Sequence, residues 1–201
     1  MRKKLTSLQS YPQELGLNLE SPEHRFKWFL ASSLFAKRIS SDIAKRTYRL
    51  FEAEGVTTPE AIIKAGWDKL VELLDSGGYV RYDFSTATKL LEIATGLKER
   101  YGSLENLYTQ AKDSKDLERR LLEFKGVGPT TVNIFLRELR TIWGKANPPA
   151  STLAKEAARR LGLDDEDVIS TEPYLVKLNL ELCKKRKCPQ CPVKESCQMG
   201  R

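Results

Sequence analysis

Residues Leu121 to Leu139 read LLEFKGVGPTTVNIFLREL, and this stretch decides the fold. From Asp116 to Phe124, Leu117, Leu121 and Phe124 share one helical face. Lys125-Gly126-Val127-Gly128-Pro129 then interrupts the pattern. From Thr130 to Arg140, Val132, Phe135, Leu136 and Leu139 resume it. Two amphipathic helices joined by Gly-Val-Gly make a tight hairpin over 116–140. The glycines permit positive φ and close approach of a foreign group. Pro129 suits the first position of a helix, where its missing N–H costs nothing. The free N–H groups of the turn and helix start form an anion site. Such a site grips a phosphate without reading base sequence. Val127 is placed to plug the space between the helices. An αα-hairpin with an ordinary glycine turn is the other reading of these residues.

Outward from the hairpin the helical period continues. Ser21-Pro22-Glu23 starts a helix carrying Phe26, Phe29, Leu30 and Leu34. Ser40-Ser41-Asp42 caps a second, ended by Gly55, and Thr58-Pro59-Glu60 opens a third. That pattern runs on to Leu74 and breaks at Gly77-Gly78. Ser85 to Tyr101 is a long amphipathic helix closed by Gly102, and Ser103 to Ala111 is another. Alternating strand patterns are scarce, so the expected class is all-α.

At 201 residues the chain can bury a proper core. A formal net charge of +7 favours an anionic partner, nucleic acid above all. No apolar run approaches the ~20 residues of a membrane span, and MRKKLTSLQSYPQ lacks the apolar centre of a signal peptide. The expected compartment is the cytoplasm, at the nucleoid in a prokaryote. Four cysteines, Cys183, Cys188, Cys191 and Cys197, are all the chain has. Their spacing, C-x4-C-x2-C-x5-C, suits a compact thiolate loop around a [4Fe–4S] cluster. Zinc is the main rival, although its sites usually bring two C-x2-C pairs together from distant places. Disulfides are a further alternative.

A helix–Gly-Val-Gly–helix hairpin followed by a C-terminal four-cysteine loop resembles the endonuclease III / adenine-mismatch glycosylase family. These are helix-hairpin-helix DNA glycosylases with an iron–sulfur loop. The resemblance covers nearly the whole chain. It implies a six-helix lobe over 22–138 ending in the hairpin. It also implies a cluster lobe built from both termini, 1–21 with 139–201, holding the loop 183–197. It further implies a monomer that binds duplex DNA, mainly through the phosphate backbone, in base excision repair. The family's loop usually has six residues in its first gap, where this chain has four, Lys184 to Lys187.

The resemblance weakens at the catalytic positions. The family's bifunctional members carry a lysine two residues after the second glycine, which attacks the sugar C1′ and forms a Schiff base. Here that residue is Thr130, which has no amine. The family's aspartate falls at Ser151, a good N-cap without the charge. Glu156 and Asp83 are expected mid-helix and at a turn or cap, and Lys125 precedes the turn on its wrong side. The implied DNA-binding residues are Lys37, Tyr79, Arg81, Tyr82, Lys125, Gly126, Val127, Gly128, Thr130 and Thr131, with Arg137, Arg140 and Lys145 on the hairpin side. Tyr79, Arg81 and Tyr82 belong to a loop that approaches the minor groove in the family, although core packing of the tyrosines fits the residues equally. Lys37 stands where the family often has a glutamine. The sole histidine, His24, reads as a surface or capping residue. The expected function is DNA binding with weak or lost base excision. Alternatives are a glycosylase/lyase with a non-standard active site, and a cluster-based redox sensor coupled to DNA.

Overall fold

The computed structural model describes residues 1–198, and these are all-α with no strand among them. The helices are α1 (Arg2–Thr6), α2 (Tyr11–Glu14), α3 (Pro22–Phe35), α4 (Ser41–Ala53), α5 (Pro59–Gly77), α6 (Asp83–Tyr101), α7 (Leu104–Gln110), α8 (Ser114–Leu122), α9 (Pro129–Arg137), α10 (Thr152–Leu161) and α11 (Asp165–Leu178). The chain divides into two compact units, Leu17–Pro148 and Met1–Gly16 with Pro149–Arg201.

Local chemistry sets the helix starts. Ser40, Thr58, Ser103, Asp113, Ser151 and Asp164 each accept an N–H from three residues on. Each such cap contributes about 1 kcal/mol. α8 begins at Ser114, earlier than Asp116, because Asp113 takes the cap and leaves Asp116 for Arg119 and Arg120. α5 is broken at Gly66, between the two apolar stretches of its sequence. α9 ends at Arg137, short of Arg140, and the chain continues in turns through Leu139, Ile142 and Trp143.

In the unit Leu17–Pro148, α3 runs through the core. Phe26, Trp28, Phe29, Leu30, Ala31 and Leu34 are all buried, so almost no face meets water. The Trp28 indole N–H donates to the Phe135 carbonyl and ties α3 to α9. Trp143 stacks on Tyr108 and packs edge-on to Phe135. Lys145 donates to the carbonyls of Tyr108 and Ala111, closing the C-terminal end of α7. These contacts hold residues 139–148 with this unit. Arg137 is buried and Arg140 donates to the Pro148 carbonyl, so Arg137, Arg140 and Lys145 serve the fold rather than an open basic surface. His24 accepts the Asn18 N–H through Nδ1, a satisfied structural role.

The other unit packs α10 and α11 around Ala154, Ala157, Ala158, Leu161, Val168, Leu175 and Leu178, with Leu5 of α1. The sequence pattern named no helix over α11. It carries Pro173 inside and three acids, Asp165, Glu166 and Asp167, in its first turn. The acids suit the positive end of the helix dipole.

Candidate nucleic-acid interface and metal centre

The hairpin turn separates the work of its glycines. Gly126 has φ +98°, the left-handed region that side chains disfavour. A Cβ there would stand 2.5 Å from Lys89 Cγ. Gly126 therefore both turns the chain and lets the Lys89 stem pass over it. Gly128 has φ −107° and caps α9 with an extended backbone. A Cβ on Gly128 meets nothing within 4 Å, so its open side is free for another molecule. Val127 is buried between the helices, and its N–H donates to Phe124. Among the described residues no hydrogen bond takes the N–H of Gly126, Gly128, Thr130 or Thr131. These donors and the partial positive end of α9 make one donor-rich turn.

Side chains around the turn divide into open and closed groups. Thr130 and Lys125 are exposed, and Lys125 pairs with Glu92 at 2.7 Å. Val127 is buried, in keeping with its expected place as a plug, and the Thr131 side chain is buried too, so of Thr131 only the N–H stays available. Lys37 lies half-buried in the α3–α4 turn, within electrostatic reach of Lys89 of α6. Burial, then the neighbouring Lys89 charge, holds the Lys37 ammonium below the usual lysine range.

The loop before α6 differs from expectation. Tyr79 is fully buried and its hydroxyl donates to the Leu34 carbonyl, so it cannot stack on a base. Tyr82 is half-buried edge-on to Tyr79, and Arg81 is exposed. The exposed apolar groups are instead Val80, at 67%, and Phe84, at 60%, which stacks on Trp67. The signal for them was an apolar residue beside an arginine just ahead of a helix start, rather than the tyrosines' aromaticity. Asp83 accepts the Phe84 N–H at 2.7 Å and acts as a turn residue.

The four cysteines follow α11. Cys183 closes a π turn, Asn179–Cys183, and Cys188 opens a 3₁₀ turn, Cys188–Gln190. A second 3₁₀ turn, Lys194–Ser196, leads into Cys197. Arg186, at φ 53°, is the one non-glycine residue with positive φ among the described residues. It lies in the short gap between the first two cysteines, where the chain must reverse in four residues. All four thiols are free. Cys183, Cys191 and Cys197 rest against the aliphatic core, and Cys188 is exposed. Burial pushes the Cys183 thiol up, Arg160 opposes it, and the other three cysteines add to the rise. Cys183 thus lies within electrostatic reach of the other three cysteines. Among the described residues no group of three or more His, Cys, Asp or Glu side chains is gathered to hold a metal ion. The donor set itself, four thiolates on a loop with an apolar floor, fits an iron–sulfur cluster and also a four-sulfur zinc site. The Gln198 N–H donates to the Arg160 carbonyl and pins the end of the loop to α10.

Ser151 caps α10 as expected, accepting the Ala154 N–H. Its own N–H donates at 2.8 Å to Glu172 of α11, a carboxylate with no exposed surface. Glu172 is thus the acid beside this cap. Sequence spacing could not find it, because it arrives from the next helix. Glu156 lies mid-helix and accepts from Asn179.

No protein-family model matches this chain, and no curated protein matches it. Among the described residues no helix is long and apolar enough to cross a membrane.

Proposed function

We propose that this protein binds duplex DNA through the 116–140 hairpin, as a relative of the endonuclease III-like glycosylases with weak or lost base excision. The carrying observation is the α8–α9 turn. It offers the N–H groups of Gly126, Gly128, Thr130 and Thr131 beside an open Gly128 and exposed Lys125. A phosphate oxygen satisfies such donors without regard to base sequence. The net charge of +7 adds long-range attraction. Val80, Arg81 and Phe84 supply an exposed apolar and cationic edge of the kind that minor-groove proteins press between bases. Cys183, Cys188, Cys191 and Cys197 would hold a [4Fe–4S] cluster, with zinc as the alternative. The bound group would tie residues 183–197 together where little core exists. Thr130 cannot form a Schiff base, which supports the loss of the family's usual lyase chemistry at that position.

The test is an anisotropy titration of an arbitrary-sequence duplex over a range of salt. Binding is expected to weaken linearly on a log–log plot, with slope about −0.9 per phosphate contacted and little change between sequences. Affinity that ignores salt would overturn the proposal.

A further inference from the structure

Two exposed rings stand stacked on the surface of the unit that carries the hairpin. Trp67 follows the break of α5 at Gly66, and Phe84 lies in the first turn of α6. Their centroids are 5.5 Å apart and their planes 24° from parallel. Thr88 holds the pair in place. Its hydroxyl accepts the Trp67 indole N–H at 3.0 Å and donates to the Phe84 carbonyl at 3.0 Å. The indole N–H is the one polar group of the two side chains, so what the pair offers outward is aromatic face alone. Phe84 is the more open ring, 60% exposed against 40% for Trp67.

The position on α6 joins the pair to the hairpin turn. Phe84, Thr88 and Glu92 follow at four-residue steps and share one face of the helix. Glu92 accepts from Lys125 of the turn at 2.7 Å. Phe84 therefore stands about 12 Å along α6 from that contact, roughly three to four base steps of one DNA strand. Arg81 lies three residues before Phe84, exposed and with no partner side chain among the described residues. Its cation suits a phosphate beside a base on the rings.

We infer that Trp67 and Phe84 form a stacking platform for one unpaired nucleobase, so that DNA with unpaired bases is preferred over a fully paired duplex. This rests on the duplex-binding reading above, which supplies the phosphate grip at the turn. Trp67 takes one side of Phe84, so a base is received on the other. A base inside a duplex has both faces covered by its neighbours, and only a base out of the stack has a face to give. Every base has such a face, so the platform ignores sequence, as the hairpin does. With the indole N–H engaged by Thr88, the pair presents no hydrogen-bonding group for a peptide backbone.

Anisotropy titrations of the full-length protein compare two labelled duplexes of one sequence, one fully paired and one with a central bulge of unpaired thymines. The bulged duplex is expected to bind more tightly by about 5- to 150-fold, the range that one stacked base contributes. With 2-aminopurine in the bulge, binding should quench its fluorescence, as stacking does. Phe84→Ala and Trp67→Ala should bring the ratio of the two affinities close to one and leave the probe bright. Phe84→Tyr, which keeps a flat ring, should retain the preference. Phe84→Leu, which keeps apolar bulk alone, should lose it. Equal affinity of the wild-type protein for the two duplexes, or a preference that survives Phe84→Ala or Phe84→Leu, would overturn the inference and leave salt-dependent duplex binding standing. Binding to neither DNA would remove both readings.

Discussion

Changing each hairpin glycine to alanine separates stability from binding, because the two positions differ in backbone and in space. At Gly126 the φ of +98° penalises an L-residue, and left-handed conformations cost about 1–2 kcal/mol. The new methyl also meets the Lys89 stem, with Cγ 2.5 Å away. That stem is flexible and moves, so the clash displaces Lys89 more than it destabilises the unit. At Gly128 the φ of −107° is open to any residue and nothing lies within 4 Å. Gly→Ala at a compatible position stabilises by about 0.4–1 kcal/mol, through loss of freedom in the unfolded chain. The two variants should therefore differ by about 1.5–3 kcal/mol. For a chain of this size that is on the order of 5–10 °C in Tm. Tryptophan fluorescence is the right probe, since Trp28, Trp67 and Trp143 all lie in the unit that holds the hairpin. Gly126→Ala should melt early. Gly128→Ala should melt at or above wild type yet bind duplex DNA weakly, because its methyl occupies the open side of the turn. Equal melting of the two variants would refute the backbone argument. Full binding by Gly128→Ala would remove the turn from the interface.

Three further predictions concern other parts of the molecule. Protein purified without oxygen should be brown with about four irons per chain, and Cys183→Ala should bleach it; colourless protein with one zinc would decide for the alternative. Ser151→Asp sets a second carboxylate beside buried Glu172 and raises one of the two pKa values. A carboxylate whose folded pKa is raised loses stability as pH rises, at ~1.4 kcal/mol for each tenfold weakening of the acid. Ser151→Asp should thus melt lower at pH 8 than at pH 5, and adding Glu172→Gln should abolish that dependence; a flat pH profile in the single variant would show the carboxylates do not interact. The Lys112 N–H, then Arg120 and Arg119, holds the Asp116 carboxyl well below the usual range. Its contribution is complete above the unfolded pKa of about 3.9 and is lost as pH falls toward the lowered value. Asp116→Asn should therefore melt below wild type at pH 7, with the gap closing toward pH 2; a gap that persists in acid would refute the assignment.

Local signals carried much of the architecture. Ser40, Thr58, Ser103 and Ser151 announce helix starts in the sequence, because a cap bonds N–H groups only three residues away. The hairpin was legible for the same reason, with apolar residues at helical spacing on both sides of Gly-Val-Gly. The placing of all four cysteines on one loop after α11 was legible, since that loop is contiguous in the chain. α11 was not, because Pro173 and an acidic first turn obscure its period, and its stability comes from packing on α10. Side-chain destinations were the least legible. Nothing in Gly77-Gly78-Tyr79-Val80-Arg81-Tyr82 states that Tyr79 turns inward to Leu34 while Val80 stays outside. Nor does any spacing join Ser151 to Glu172, Lys125 to Glu92, or the Lys89 stem to the Gly126 turn. The all-α class, most helix starts and the contiguous cysteine loop follow from local sequence, because these depend on residues within a few positions of one another. Which amines and carboxylates meet is set by how the helices pack, because those encounters join segments that are distant in the chain.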